Sequence, residues 1–105
     1  MSLHKHEIVT GEAIAILVEL NNDFSPITLE LSDTVTAGLV NSAGLIQSVT
    51  VDLTHEDTVL ASGKIVIEFT AVQSAAFPAG PCELHVKRNG TTYTLDGFTI
   101  KRGFL

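Results

Sequence analysis

Apolar and polar residues alternate along most of this chain, most clearly between Lys64 and Arg102. Ile65, Ile67 and Phe69 fall on one face of an extended segment and Lys64, Val66, Glu68 and Thr70 on the other, the period of two expected of a half-buried strand. The Ala-rich run from Ala71 to Phe77 is too small-sided for a good strand, and Pro78-Ala79-Gly80-Pro81 closes it, so a single helical turn is expected there. Alternation resumes at residues 82–88. Asn89-Gly90 then supplies two residues that tolerate positive φ at the centre of a type I′ hairpin turn. Residues 91–95 and 98–101 return as strand, interrupted at Asp96-Gly97 by a second turn or a bulge.

The first half carries the same signal at lower contrast. Residues 12–20 place Ile14, Ile16, Val18 and Leu20 on a core face, and Asn21-Asn22-Asp23-Phe24-Ser25-Pro26 reads as a loop, with Phe24 capping one end of the core. Residues 27–31, 34–40 and 45–53 read as further strands, with a turn at 41–44 and a bulge near Gln47-Ser48. The polar run 54–58 suits a brief turn of helix. Residues 1–11 read as a flexible polar leader and 12–105 as one domain. Seven to eight strands at intervals of about 8 to 12 residues, with no helix long enough to cover a sheet, predict an all-β fold: an antiparallel immunoglobulin-like β-sandwich with one short helical turn near Ala71 to Phe77. A closed barrel is the structural alternative.

Composition narrows the partners. At 105 residues the chain suits one core, and 45% apolar residues with 17% charged ones disfavour disorder. The formal charge of -6 repels phosphate backbones, so nucleic acid is not an expected partner. The longest apolar run, residues 13–20, is interrupted by Glu19 and falls far short of a membrane span, and the N-terminal residues do not resemble a signal peptide. One cysteine, Cys82, cannot close an intrachain disulfide and reads as a small buried hydrophobe at a strand start.

Candidate chemistry is sparse. Asp33, Asp52, Glu56, Asp57 and Asp96 all sit beside turns or strand ends, where capping and solubility account for them. His55-Glu56-Asp57 are consecutive, and consecutive turn residues cannot orient one another as a catalytic triad. His4 and His6 lack a third ligand at metal-binding spacing, and His85 occupies an outward strand position with no ligand partner. Asn89-Gly90-Thr91 matches a glycosylation acceptor, but the hairpin turn already explains Asn-Gly. The glycines are dispersed at turns, so no phosphate loop forms. No catalytic, cofactor or metal site is therefore expected, and a small-molecule ligand is not.

Residues 63–71 followed by Ala75-Ala76-Phe77-Pro78-Ala79-Gly80, preceded by strands like 13–20 and 34–40, resemble small immunoglobulin-like modules of tailed-bacteriophage and prophage structural proteins, of baseplate or tail-fibre type. The likeness spans residues 12–102. Cys82 departs from it, standing where such modules usually carry an aromatic or aliphatic residue. The resemblance implies a non-enzymatic virion structural or adaptor protein of tail, baseplate or fibre, assembled in the bacterial host cytoplasm, binding other virion proteins and forming homo-oligomers. Phe104 and Leu105, an apolar pair after Gly103, are the expected interface residues. The alternative is a β-sandwich module that binds carbohydrate on a host surface.

Overall fold

A computed structural model describes residues 6–22 and 25–103. Among these residues nine strands form: β1 (His6–Val9), β2 (Ile14–Glu19), β3 (Asn21–Asn22), β4 (Ser25–Pro26), β5 (Val35–Asn41), β6 (Gly44–Thr50), β7 (Lys64–Phe69), β8 (Gly80–Arg88) and β9 (Thr91–Lys101). One helical turn, α1 (Ala71–Ala75), and a 3-10 turn (Leu60–Ser62) join them. The fold is all-β.

Two layers enclose one core. The larger is a five-stranded sheet in the order β1-β9-β8-β5-β6, and the smaller is the antiparallel pair β2-β7. Ile16 and Val18 of β2 and Ile65, Ile67 and Phe69 of β7 share a buried cluster with Leu39 of β5, Leu84 and Val86 of β8, and Phe98 and Ile100 of β9. This is an immunoglobulin-like sandwich, in which the layer containing β5, β8 and β9 faces the pair β2-β7. The predicted alternation holds: Ile65 and Ile67 are fully buried while Glu68 is exposed, and the expected core face of β2 points inward.

Three expectations need correction. Residues 1–11 do not all lie outside the domain, because His6–Val9 pairs in parallel with β9, Ile8 opposite Ile100. Ile8 is 2% exposed, so one apolar residue in a polar-looking segment secures the strand. Residues 27–31 are not a strand. Ile27 and Leu29 are buried as their alternation predicts, but their N–H groups donate to the Leu20 and Leu60 carbonyls instead of joining a ladder. Residues 54–58 form turns without a helix, and the 3-10 turn comes afterwards.

Connections follow local chemistry. Asn41 closes the β5–β6 turn by accepting a hydrogen bond from the Ala43 N–H, and a register shift between Leu39 and Val40 leaves Ile46 as the bulged residue, next to the predicted position. The Asp96-Gly97 interruption is a bulge inside one continuous strand, with Gly97 at φ +88°. Helix α1 begins with a capping box: Thr70 Oγ1 accepts from the Gln73 N–H, and Gln73 Oε1 accepts from the Thr70 N–H. Phe77, just past the helix, meets Phe69 edge to face at 5.5 Å between centroids. That contact fastens the helical turn to the core.

Two small residues hold loops together. Ser74 is fully buried; its hydroxyl donates to the Glu12 carbonyl at 2.6 Å and accepts from the Gly11 N–H at 3.0 Å, tying α1 to the chain entering β2. Gly63, at φ +68°, sits where a Cβ would lie 2.6 Å from the Ile27 carbonyl and 2.8 Å from that of Leu20. The Leu20 oxygen is held in place, because it accepts from the Ile27 N–H while the Leu20 N–H donates to the Gly63 carbonyl. Ser74→Ala, which removes the hydrogen bonds from the Gly11 N–H and to the Glu12 carbonyl, is expected to cost about 1 kcal/mol in urea unfolding. Gly63→Ala adds positive-φ strain to a backbone clash and should cost about 2 kcal/mol or more in the same assay.

Candidate functional site

Three parts of the surface carry most of the polar chemistry: a latch between two loops, a groove beside the β9 bulge, and the β6 edge.

In the latch, the tight turn at Asn89-Gly90 brings β8 and β9 back beside the 30–34 turn. Arg88 Nε donates to Asp33 at 2.9 Å, Asn89 Nδ2 donates to the same carboxylate at 2.9 Å, and the Glu30 N–H donates to it at 3.0 Å. Asn89 Oδ1 in turn accepts from the Thr34 N–H. Asn89 takes φ +47°, as the hairpin reading requires, and both ends of its amide are engaged in the latch. The hydrogen bonds from the Glu30 N–H, Asn89 and Arg88 hold the Asp33 carboxyl below the usual carboxylate range. The predicted acid is thus a structural anion.

The other singled-out residues are placed as follows. Asp52 accepts from the N–H and hydroxyl of Thr54, which lowers its pKa in the same sense. His55 Nδ1 accepts from the Asp57 N–H, and its Nε2 lies 3.6 Å from Glu68 on the outer side of β7. Glu56 and Asp57 stay exposed on that turn. His85 faces outward from β8, as expected, with its Nε2 3.2 Å from Glu83. Cys82 is buried, and burial pushes its thiol pKa up, away from reactivity. Asp33, the residues 52–57 and Asp96 occupy three separate regions of the fold. His4, Phe24, Phe104 and Leu105 lie outside the described residues, as does the side chain of His6.

The groove was not foreseen. Residues 40–42 at the end of β5, 81–83 at the start of β8 and 96–99 at the β9 bulge enclose about 420 Å³. Val40, Pro81, Cys82 and Phe98 supply apolar surface, and the exposed carboxylates of Glu83 and Asp96 flank it. Two residues of β9 stand opposite one of β8 at the bulge, so Glu83 and Asp96 come from the same interruption of the ladder. Only Asp96-Gly97 signalled this in the sequence, because the three segments are far apart along the chain.

Strand β6 forms the outer edge of the large sheet and pairs, among the described residues, with β5 alone. Its seven residues, Gly-Leu-Ile-Gln-Ser-Val-Thr, include no charge and no proline. Leu45 is 65% exposed and lies over Gly38, where an added Cβ would come within 2.9 Å of Leu45 Cδ1. Edges are usually blunted by lysine, proline or bulges, and this one carries a single bulge near one end. Among the aromatic residues described, Phe69, Phe77 and Phe98 are buried and Tyr93 is half-buried, so none offers an open sugar-stacking platform.

No known protein family matches the chain, and no curated protein matches it. Among solved structures, it is similar to a proposed glycoside hydrolase from Bacteroides vulgatus ATCC 8482, with a TM-score of 0.54 and 12% identity. The match covers 95% of this chain and 17% of that one. At that identity the likeness is one of fold, to a small part of a much larger protein.

The latch sets a pH dependence. A carboxyl whose folded pKa is depressed contributes stability that is fully present above its ordinary value near 3.8 and is lost as pH falls through the lower folded value. Asp33→Asn should lower the melting temperature at pH 7 by several degrees, and the difference from wild type should shrink below about pH 4, as calorimetry across pH 2 to 7 would record.

Proposed function

We propose that this domain is a non-enzymatic structural or adaptor protein of a tailed-phage or prophage particle, in the tail, baseplate or fibre, that works by docking onto other virion proteins and onto copies of itself. On this reading it resides in the virion, assembled in the bacterial host cytoplasm. The observation that carries the reading is the uncharged, singly paired β6 edge, whose outward N–H and C=O groups are suited to receive a strand from a neighbour. The pattern that resembles phage modules supports it further: residues 63–80 form β7, the capped turn α1 and a Phe77-anchored stop before β8. Asp33 is taken up by the latch to Arg88 and Asn89 and Asp52 by its own turn at Thr54, which suits assembly better than turnover.

Particles purified on a density gradient from a strain producing this chain should contain it in fixed proportion to the other tail proteins by mass spectrometry; particles without it would remove the virion role. Gln47 faces inward at the β6 edge, so Gln47→Lys adds an inward-pointing charge of the kind that blocks edge docking. It should reduce incorporation several-fold with little change in melting temperature. Incorporation at the wild-type level would exclude β6 as the docking edge.

A further inference from the structure

We propose that the groove at the β9 bulge is the receptor for the segment Lys101-Arg102-Gly103-Phe104-Leu105 of a second copy, so that copies join head to tail. The inference rests on the assembly reading above and names the surfaces that one mode of assembly would use.

Charge and polarity match on the two sides. The groove presents apolar surface from Val40, Pro81 and Phe98 between the carboxylates of Glu83 and Asp96. The segment offers the converse, two basic residues followed by two apolar ones in a chain with six basic residues in all. The other adjacent basic pair is partly committed, since Arg88 is bound to Asp33. Lys101 pairs with Glu7 at 2.8 Å, and Arg102 is exposed at the end of β9. Arg102 is therefore the cation placed to meet Glu83 and Asp96, with Phe104 and Leu105 entering the apolar part of the groove.

Geometry assigns the segment to another copy. The Gly103 N–H donates to Thr10 Oγ1 at 2.8 Å, and a Cβ on Gly103 would collide with the Thr10 carbonyl oxygen, so the chain is held against the segment following β1. That segment lies on the β1 side of β9, whereas the groove opens toward β8 and the β5–β6 turn. At about 3.3 Å per residue, Gly103 lies about 13 Å beyond Thr99, the groove residue nearest to it in sequence. A contact between two different patches repeats from copy to copy and builds a ring or a filament.

The test uses the full chain and two charge reversals, Asp96→Lys in the groove and Arg102→Glu in the segment, each verified as folded by circular dichroism. Sedimentation velocity over a concentration series should show wild-type self-association, weakened about tenfold in each variant alone. An equimolar mixture should recover it, because the reversed segment meets the reversed groove and the unaltered pair also meets. A synthetic Lys-Arg-Gly-Phe-Leu peptide should shift the amide resonances of residues 40–42 and 96–99. A monomeric wild type, a mixture that fails to recover, or peptide shifts elsewhere would each overturn the proposal. If both reversals associate like wild type while Gln47→Lys does not, edge docking stands and segment docking falls. If the reversals rescue each other but particles lack the chain, segment docking stands and the virion role falls.

Discussion

The fold depends on a single shared core between two unequal sheets. A two-stranded sheet is marginal in water, and β2-β7 persists only because Ile16, Val18, Ile65, Ile67 and Phe69 bury one face against the larger layer. Their partners, Leu39, Leu84 and Val86, are completely shielded, so neither layer keeps its hydrophobic face dry without the other. The loops then need only close the ends of the sandwich. They do so with polar contacts of long sequence separation, Asp33 to Arg88 and Asn89 at one place and Ser74 to Gly11 and Glu12 at another.

How much of this was legible depended on how local its cause is. Alternation in 64–69 and 82–86 fixes which side chains point inward, and Asn89-Gly90 determines a turn through the φ values of two residues alone. Strand β1 was missed because its partner lies more than ninety positions away and only Ile8 and Val9 in it are apolar. Residues 27–31 misled for the opposite reason. Their side chains alternate between buried and exposed, yet Ile27 and Leu29 hydrogen-bond to two different segments, so the pattern of a strand arises without a ladder. The Thr70-x-x-Gln73 spacing was a readable capping box and would have fixed the start of α1 to the residue.

The candidate surfaces divide along the same line. The β6 edge was within reach of sequence reading, since an uncharged strand after a tight turn is visible, although its place at the rim of the sheet is not. The groove was out of reach because it exists only where residues 40–42, 81–83 and 96–99 meet. A bulge creates it: leaving Glu83 opposite two residues displaces the ladder locally and puts two carboxylates beside an apolar hollow.

These features bear on one another through charge. A domain with a net charge of -6 repels its own copies at long range, so any self-association would have to come from short-range contacts that keep acidic groups apart or match them with cations. An uncharged edge meets the first requirement, because backbone hydrogen bonds form there without bringing carboxylates together. A groove flanked by Glu83 and Asp96 would meet the second by receiving Arg102 of another copy, as proposed above. The edge runs along β6 and the groove lies where β5 turns into it, so the two surfaces adjoin; if both receive a neighbour as proposed, an assembly could extend where one surface could only terminate it.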